Sequence, residues 1–183
     1  MARQPTAATP ALAALLRAGV AFEVVEFEVP EAGLQASASP GTGTSAGYGL
    51  QAAAALGEDP RAVFKTLMVQ SPDGALAVGV VPAAGTLNLK TLAVALNVKK
   101  VTMADPALAE RRTGYVVGGI SPLGQRHPSP VVLDSSALAL PTILVSGGQR
   151  GLDVRLAPED LIRTLTATVP ATVPATVADI ASP

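Results

Sequence analysis

Residues 62–81 read as a β-hairpin. Ala62–Gln70 and Ala75–Val81 are apolar runs of strand length, and the spacer Ser71-Pro72-Asp73-Gly74 between them has the residue types of a tight turn. Helical patterns lie on both sides. Thr9 and Pro10 read as an N-cap and a first helical residue, Leu12, Leu15 and Leu16 recur at helical spacing, and Gly19 stops the run. Val20–Val29 reads as a strand with Phe22, Val24 and Glu26 on one face and Val25 and Phe27 on the other. An Ala-rich helix spans Leu50–Leu56. Leu89, Leu92, Ala93 and Leu96 mark another, and Asp105-Pro106 caps a short one reaching about Arg112. Strands follow at Val131–Asp134, Thr142–Ser146 and Leu152–Leu156, then a helix opened by Pro158-Glu159-Asp160. Helices interspersed with paired strands predict a single α/β or α+β domain over 1–183 with a mixed sheet.

Two segments break the pattern. Residues 30–47 gather Pro and Gly among Ser, Thr and Ala and read as a long loop. At the other end, Ala-Thr-Val-Pro occurs at 167–170 and again at 171–174, so 167–183 reads as a low-complexity tail in extended form.

Composition narrows the chemistry. The 183 residues include no cysteine and one histidine, His127. That excludes disulfides, thiolate nucleophiles and multi-histidine metal sites, and it disfavours a Ser-His-Asp triad. No metal or cofactor is called for. No apolar run reaches the roughly 18 residues of a membrane span, and the N-terminus does not read as a signal peptide, so the expected location is the cytoplasm. Residues 61–155 carry ten Lys/Arg against five acids, while the flanks carry three against nine. A basic middle suits an anionic partner. Lys99, Lys100, Arg111 and Arg112 are its candidate contacts with that partner.

Three residues or loops stand out. Strand alternation puts Lys65 on the face of Val63, Leu67 and Val69, where an ammonium must either snorkel to water or meet an anion. Gly118-Gly119-Ile120-Ser121-Pro122 could bring free backbone N–H groups close to a ligand, as an oxyanion hole does; otherwise it is a turn. Asp153 faces away from Leu152 and Val154 and shares its side with Arg155, as on a solvated strand face. Tyr115 reads as a packing residue and His127 as an exposed loop residue.

Four strings occur in order: Val63-Phe64-Lys65-Thr66-Leu67, Met103-Ala104-Asp105-Pro106, Thr113 through Gln125, and Val145 through Asp153. Together they resemble the YbaK family of prolyl-tRNA editing proteins over about residues 10–180. The resemblance implies a strongly curved, mixed, largely antiparallel sheet wrapped by helices. It also implies a deacylase that removes cysteine from mischarged proline tRNA. Aminoacylated proline tRNA is then the partner, with prolyl-tRNA synthetase a second candidate.

The family's lysine falls on Lys65, its loop on Gly119, Ile120, Ser121 and Pro122, and its aspartate on Asp153. Phe27 stands where relatives often have tyrosine, Tyr48 matches the aromatic before the lysine strand, and Gly118 and Gly119 complete the substrate contacts. The 30–47 segment is longer than usual for the family. The implied chemistry is attack by the substrate's own thiol on its ester, with departure as a thiolactone. Lys65 is assigned to terminal phosphate or ribose, amides near Gly119 to the carbonyl, and Asp153 to the amino group or ribose hydroxyls. The alternatives are a deacylase of the same fold for alanine on proline tRNA and a non-catalytic tRNA- or synthetase-binding module.

Overall fold

The computed structural model describes residues 9–28, 45–168 and 175–183. Helix α1, Pro10–Ala18, starts as the sequence predicts: the Thr9 side chain accepts from the Leu12 amide, Pro10 is at the first helical position, and Gly19 closes the helix at φ 63°. Strand β1 is shorter than predicted, Glu23–Glu26. Helix α2 is longer, Ser45–Leu56, and takes in the last three residues of the expected 30–47 loop. The rest of that loop lies outside the described residues.

The hairpin forms from β2, Val63–Gln70, and β3, Leu76–Pro82, in antiparallel register from Phe64↔Pro82 to Gln70↔Leu76. After it come β4, Thr86–Leu87, α3, Leu89–Ala95, β5, Thr102–Met103, and α4, Pro106–Thr113. Asp105 caps α4 by accepting from the Leu108 amide, and Gly114 closes it at φ 79°. Strand β6, Val131–Asp134, leads into a short 3-10 turn, then β7, Ile143–Gln149, β8, Leu152–Leu156, and α5, Pro158–Thr168. The described part of the tail is extended. Ala175–Ala178 forms β9 and Ala181–Ser182 forms β10.

The described strands make an eight-stranded sheet in the order β1-β8-β7-β2-β3-β6-β9, with β5 added to β2, and β10 pairs separately with β4. Antiparallel ladders (β1/β8, β7/β8, β2/β3, β2/β5) narrowly outnumber parallel ones (β2/β7, β3/β6, β6/β9). The domain is a mixed α/β fold.

Alternation on β2 divides the core. Phe64 and Met68 join the large cluster that also holds Leu12, Leu15, Leu161 and Leu165 of α1 and α5. Each of those four leucines is essentially fully buried, a contribution of about 1.5–3 kcal/mol apiece. The opposite face carries two smaller clusters. Val63, Ala83 and Leu144 pack with Ala52 and Ala53 of α2, and Leu67, Val69 and Val81 pack with Leu92 of α3. Lys65 falls between these two clusters.

The tail is tied down by Asp134, itself buried. One carboxylate oxygen accepts from the amides of Ile180 and Ala181 at 2.9 and 2.7 Å, and the other from the Ser136 amide at 3.1 Å. Ile180 is fully buried as a result.

Candidate functional site

Sheet order brings distant residues into one row. Phe64 pairs with Val145 at the end of the β2/β7 ladder, and Lys65 and Ser146 are the next residue on each strand. Ser146 pairs with Asp153, and Asp153 with Val25. Paired residues share a face, so Lys65, Ser146 and Asp153 all point to the side covered by α2. Lys65 and Asp153 are two strand spacings apart, about 10 Å. Helix α2 can lie close because Gly49 has no side chain: a Cβ there would sit 3.0 Å from Ala83 Cβ and 3.7 Å from Lys65 Cβ.

Lys65 is not an edge-strand snorkeller. β2 lies inside the sheet, and the side chain is 9% exposed. Its Nζ donates to the Gly85 carbonyl at 2.5 Å and lies 3.5 Å from the Ala83 carbonyl. These dipoles hold an ammonium whose pKa burial pushes down. Gly85 is backed by the tail, since a Cβ on it would lie 3.2 Å from the Ser182 carbonyl.

Asp153 is not on a solvated face either. It is 5% exposed, and burial pushes its carboxyl up to about 7. Its same-face neighbour Arg155 turns away to Glu58 at 2.7 Å and Glu23 at 3.1 Å. Among the described residues Asp153 has no hydrogen-bond donor. The sequence pattern missed this because parity along one strand says which way a residue points, not what covers that face.

Tyr48, on α2, accepts from the Gly151 amide at 2.9 Å. Its phenol pKa is raised, chiefly by burial and further by the Asp153 charge, against the Gly151 bond and Arg150. The hydroxyl therefore keeps a proton to donate. Phe27 packs against Tyr48 with ring centroids 6.3 Å apart, and its amide donates to the Gly151 carbonyl at 2.9 Å.

The glycine loop meets this cluster at one end only. Gly118 is at φ 87°, where a Cβ would lie 3.2 Å from Arg150 Nε and 3.6 Å from the Tyr48 ring. A Cβ on Gly119 would come within 2.9 Å of the Arg150 amide nitrogen and of the Gln149 carbonyl carbon, so the loop rests on the β7–β8 turn. The Gly119 N–H is already given to Val116 at 2.9 Å, whereas the Gly118 and Ile120 amides have no acceptor among the described residues. Ile120 packs in the large core cluster. Ser121 is fully buried, and its hydroxyl oxygen accepts from the Leu123 amide at 3.2 Å. Pro122 lines a separate hollow of about 180 Å³ with Arg17 and Gln125. The loop thus points Gly118 and Gly119 at the site and Ile120–Pro122 toward α1. Tyr115 is a packing residue, its hydroxyl donating to the Leu123 carbonyl at 2.8 Å, and His127 is exposed.

Beside the β7–β8 turn lies a groove of about 480 Å³ lined by Glu26, Phe27, Glu28, Gln149, Arg150, Gly151 and Leu152. Lys99, Lys100, Arg111 and Arg112 are exposed. They flank β5, which joins β2 at Val69 and Gln70. Because β2 and β7 run parallel, that is also the end of the sheet at which the β7–β8 turn lies. Two neighbours of these residues are not legible in the sequence. Ser146 shows only once sheet order sets it between Lys65 and Asp153, and Arg150 shows only once the loop is seen against the turn.

The arrangement offers a held ammonium, a buried carboxylate near neutrality, a phenolic donor and unpaired backbone amides. It has no serine–histidine or cysteine–histidine pair. This suits binding and polarising an ester that bears an amino group.

Comparison with known proteins gives the family. The model of the aminoacyl-tRNA editing domain family matches residues 47–164. A protein of Enterococcus faecalis (strain ATCC 700802 / V583), provisionally named Cys-tRNA(Pro)/Cys-tRNA(Cys) deacylase EbsC, is 38% identical over 110 residues, 60% of this chain and 67% of that one. A crystal structure provisionally described as a trans-editing enzyme for prolyl tRNA synthetase superposes with TM-score 0.72 at 24% identity, covering 99% and 100% of the two chains. The hypothetical protein APE2540 superposes with TM-score 0.75 at 22% identity over 95% and 100%. These two likenesses establish the fold.

Proposed function

The chain belongs to the aminoacyl-tRNA editing domain family and is an aminoacyl-tRNA deacylase, and we propose that the ester it cleaves joins cysteine to proline tRNA. The physical need is clear: a prolyl site cannot strongly reject cysteine, which is of similar size, so accuracy takes a second, hydrolytic site. The observation that carries the reading is the row Lys65–Ser146–Asp153 beneath Tyr48, which holds charge and donors but no activated nucleophile.

A substrate thiol supplies what the protein lacks. Its sulfur attacks the ester carbonyl, the bond to the ribose oxygen breaks, and the thiol proton ends on that oxygen. The products are free tRNA and a cysteine thiolactone, which water then opens. The protein's part is to hold the folded conformer and stabilise the oxyanion. The Gly118 amide, on the end of the loop that meets the site, is the open donor for that oxyanion. Asp153 takes the substrate ammonium. Lys65, fixed by the Gly85 carbonyl, faces the ribose and ester. Phe27 and Tyr48 wall the pocket, and Lys99, Lys100, Arg111 and Arg112 receive the tRNA body.

The test is release of amino acid from proline tRNA charged with cysteine, S-methylcysteine, serine or alanine. Cysteine is expected to leave at least a hundredfold faster than the other three. Equal rates for cysteine and S-methylcysteine refute thiol attack, and preferential release of alanine makes this an alanine-specific enzyme. Repeating the assay with added prolyl-tRNA synthetase shows whether that enzyme delivers the substrate.

A further inference from the structure

Arg150 is a cation that the site residues do not account for. It lies at the turn between β7 and β8, is exposed, and lines the groove beside Phe27 and Gly151. Its Nε donates to the Val117 carbonyl at 2.8 Å, which pins the guanidinium against the glycine loop at Gly118. Ion pairs occupy Arg61, Arg155 and Arg163, but none occupies Arg150. Glu26 and Glu28 line the same groove, yet neither is within ion-pair distance of it. Both Nη atoms therefore have no acceptor among the described residues, while the Nε bond has already fixed the plane in which they lie. A guanidinium held in one plane with its outer edge open is suited to two oxygens of a phosphate. Lys65 does not offer this geometry, because an ammonium has no planar pair of donors and this one already gives a bond to Gly85.

We propose that Arg150 binds the last phosphodiester of the tRNA acceptor end, a contact that rests on the deacylase reading above. The same side chain latches the loop that carries Gly118 and Gly119. Phosphate binding and loop position are thereby coupled through one residue: an anion on the Nη edge fixes the guanidinium, and the guanidinium fixes Val117.

The test compares two substrates, cysteinyl-tRNA(Pro) and 3′-O-cysteinyl adenosine, which has the same ester and no phosphate. For Arg150→Ala, kcat/KM is expected to fall ten- to a hundredfold on the tRNA, and at least tenfold less on the adenosine ester. The salt dependence of the tRNA reaction should lose about 0.7 from its log–log slope, the share of one single-strand phosphate. Arg150→Lys keeps the charge without the Nε latch and is expected to retain most of that slope. Equal losses on the two substrates mean that Arg150 acts only as a latch and overturn the proposal, as does an unchanged tRNA reaction. Melting curves of both variants are expected to match the wild type, since the side chain is exposed. If the wild type cleaves neither substrate, the deacylase reading itself fails, a result distinct from equal losses in the variant.

Discussion

Asp153→Asn tests the burial of the site directly. The carboxyl stands about three pK units above its ordinary 3.8, at about 7, because the fold removes it from water. Each unit corresponds to about 1.4 kcal/mol. The folded state holds a proton that the unfolded chain gives up, so unfolding free energy falls as pH rises between these two values. The stability linked to Asp153 is complete below about pH 4. It is lost progressively up to about pH 7, with a ceiling of about 4 kcal/mol. Between pH 5 and pH 8 the loss is about 3 kcal/mol. Asparagine has nearly the same shape and no charge, so the variant lacks this component. The assay is urea unfolding of both proteins at pH 5 and pH 8. The wild type should lose about 3 kcal/mol more than the variant over that interval, and the variant should be the more stable at pH 8. Asp59 and Asp73, whose carboxyls are held low by hydrogen bonds from Arg61 and Ser71, are ionised at both pH values and cancel. Parallel pH profiles for the two proteins would refute the argument, because they would mean that water reaches Asp153 in the folded state.

If Lys65 positions substrate as proposed, Lys65→Ala is expected to lower single-turnover deacylation by on the order of a hundredfold while leaving a folded protein. A folded mutant with normal rates would remove Lys65 from the site. Gly119→Ala forces a Cβ to within 2.9 Å of backbone that cannot swing aside. It should cost about 1–3 kcal/mol in chemical denaturation and at least tenfold in rate, and an unchanged rate would show that the loop does not shape the pocket.

Much of the fold was readable from local signals. The Ser71–Gly74 hairpin, the Thr9 and Asp105 caps and the boundaries of β6 and β8 all follow from residues within a turn or two of each other. What local signals leave open depends on distant partners. Thr176 and Val177 look like part of a repeat until β6 pairs with them, and Ile180 looks like tail until Asp134 draws it in. Of the site, Lys65 was legible as a misplaced charge. Its confinement was not, because the Gly85 carbonyl that holds it lies in another element. Asp153 was assigned the correct face and the wrong surroundings, since the covering helix, α2, begins in a stretch that reads as loop. Resemblance to relatives singled out Asp153 and Gly118–Gly119, which composition and alternation alone left as a solvated charge and a turn.

The contact between Gly119 and the backbone of Gln149 and Arg150 also bears on how such a pocket can change over generations. One wall is main chain pressed on main chain, and no side chain can be introduced there without moving both strands of the β7–β8 turn. Substitution can tune that wall hardly at all. Beside it stand side chains, Phe27 from just after β1 and Tyr48 from α2, half-buried with ring centroids 6.3 Å apart. Drift in amino-acid preference among relatives should therefore be recorded at those two positions and in the segment joining them. The glycine wall should stay the same for whatever substrate is admitted.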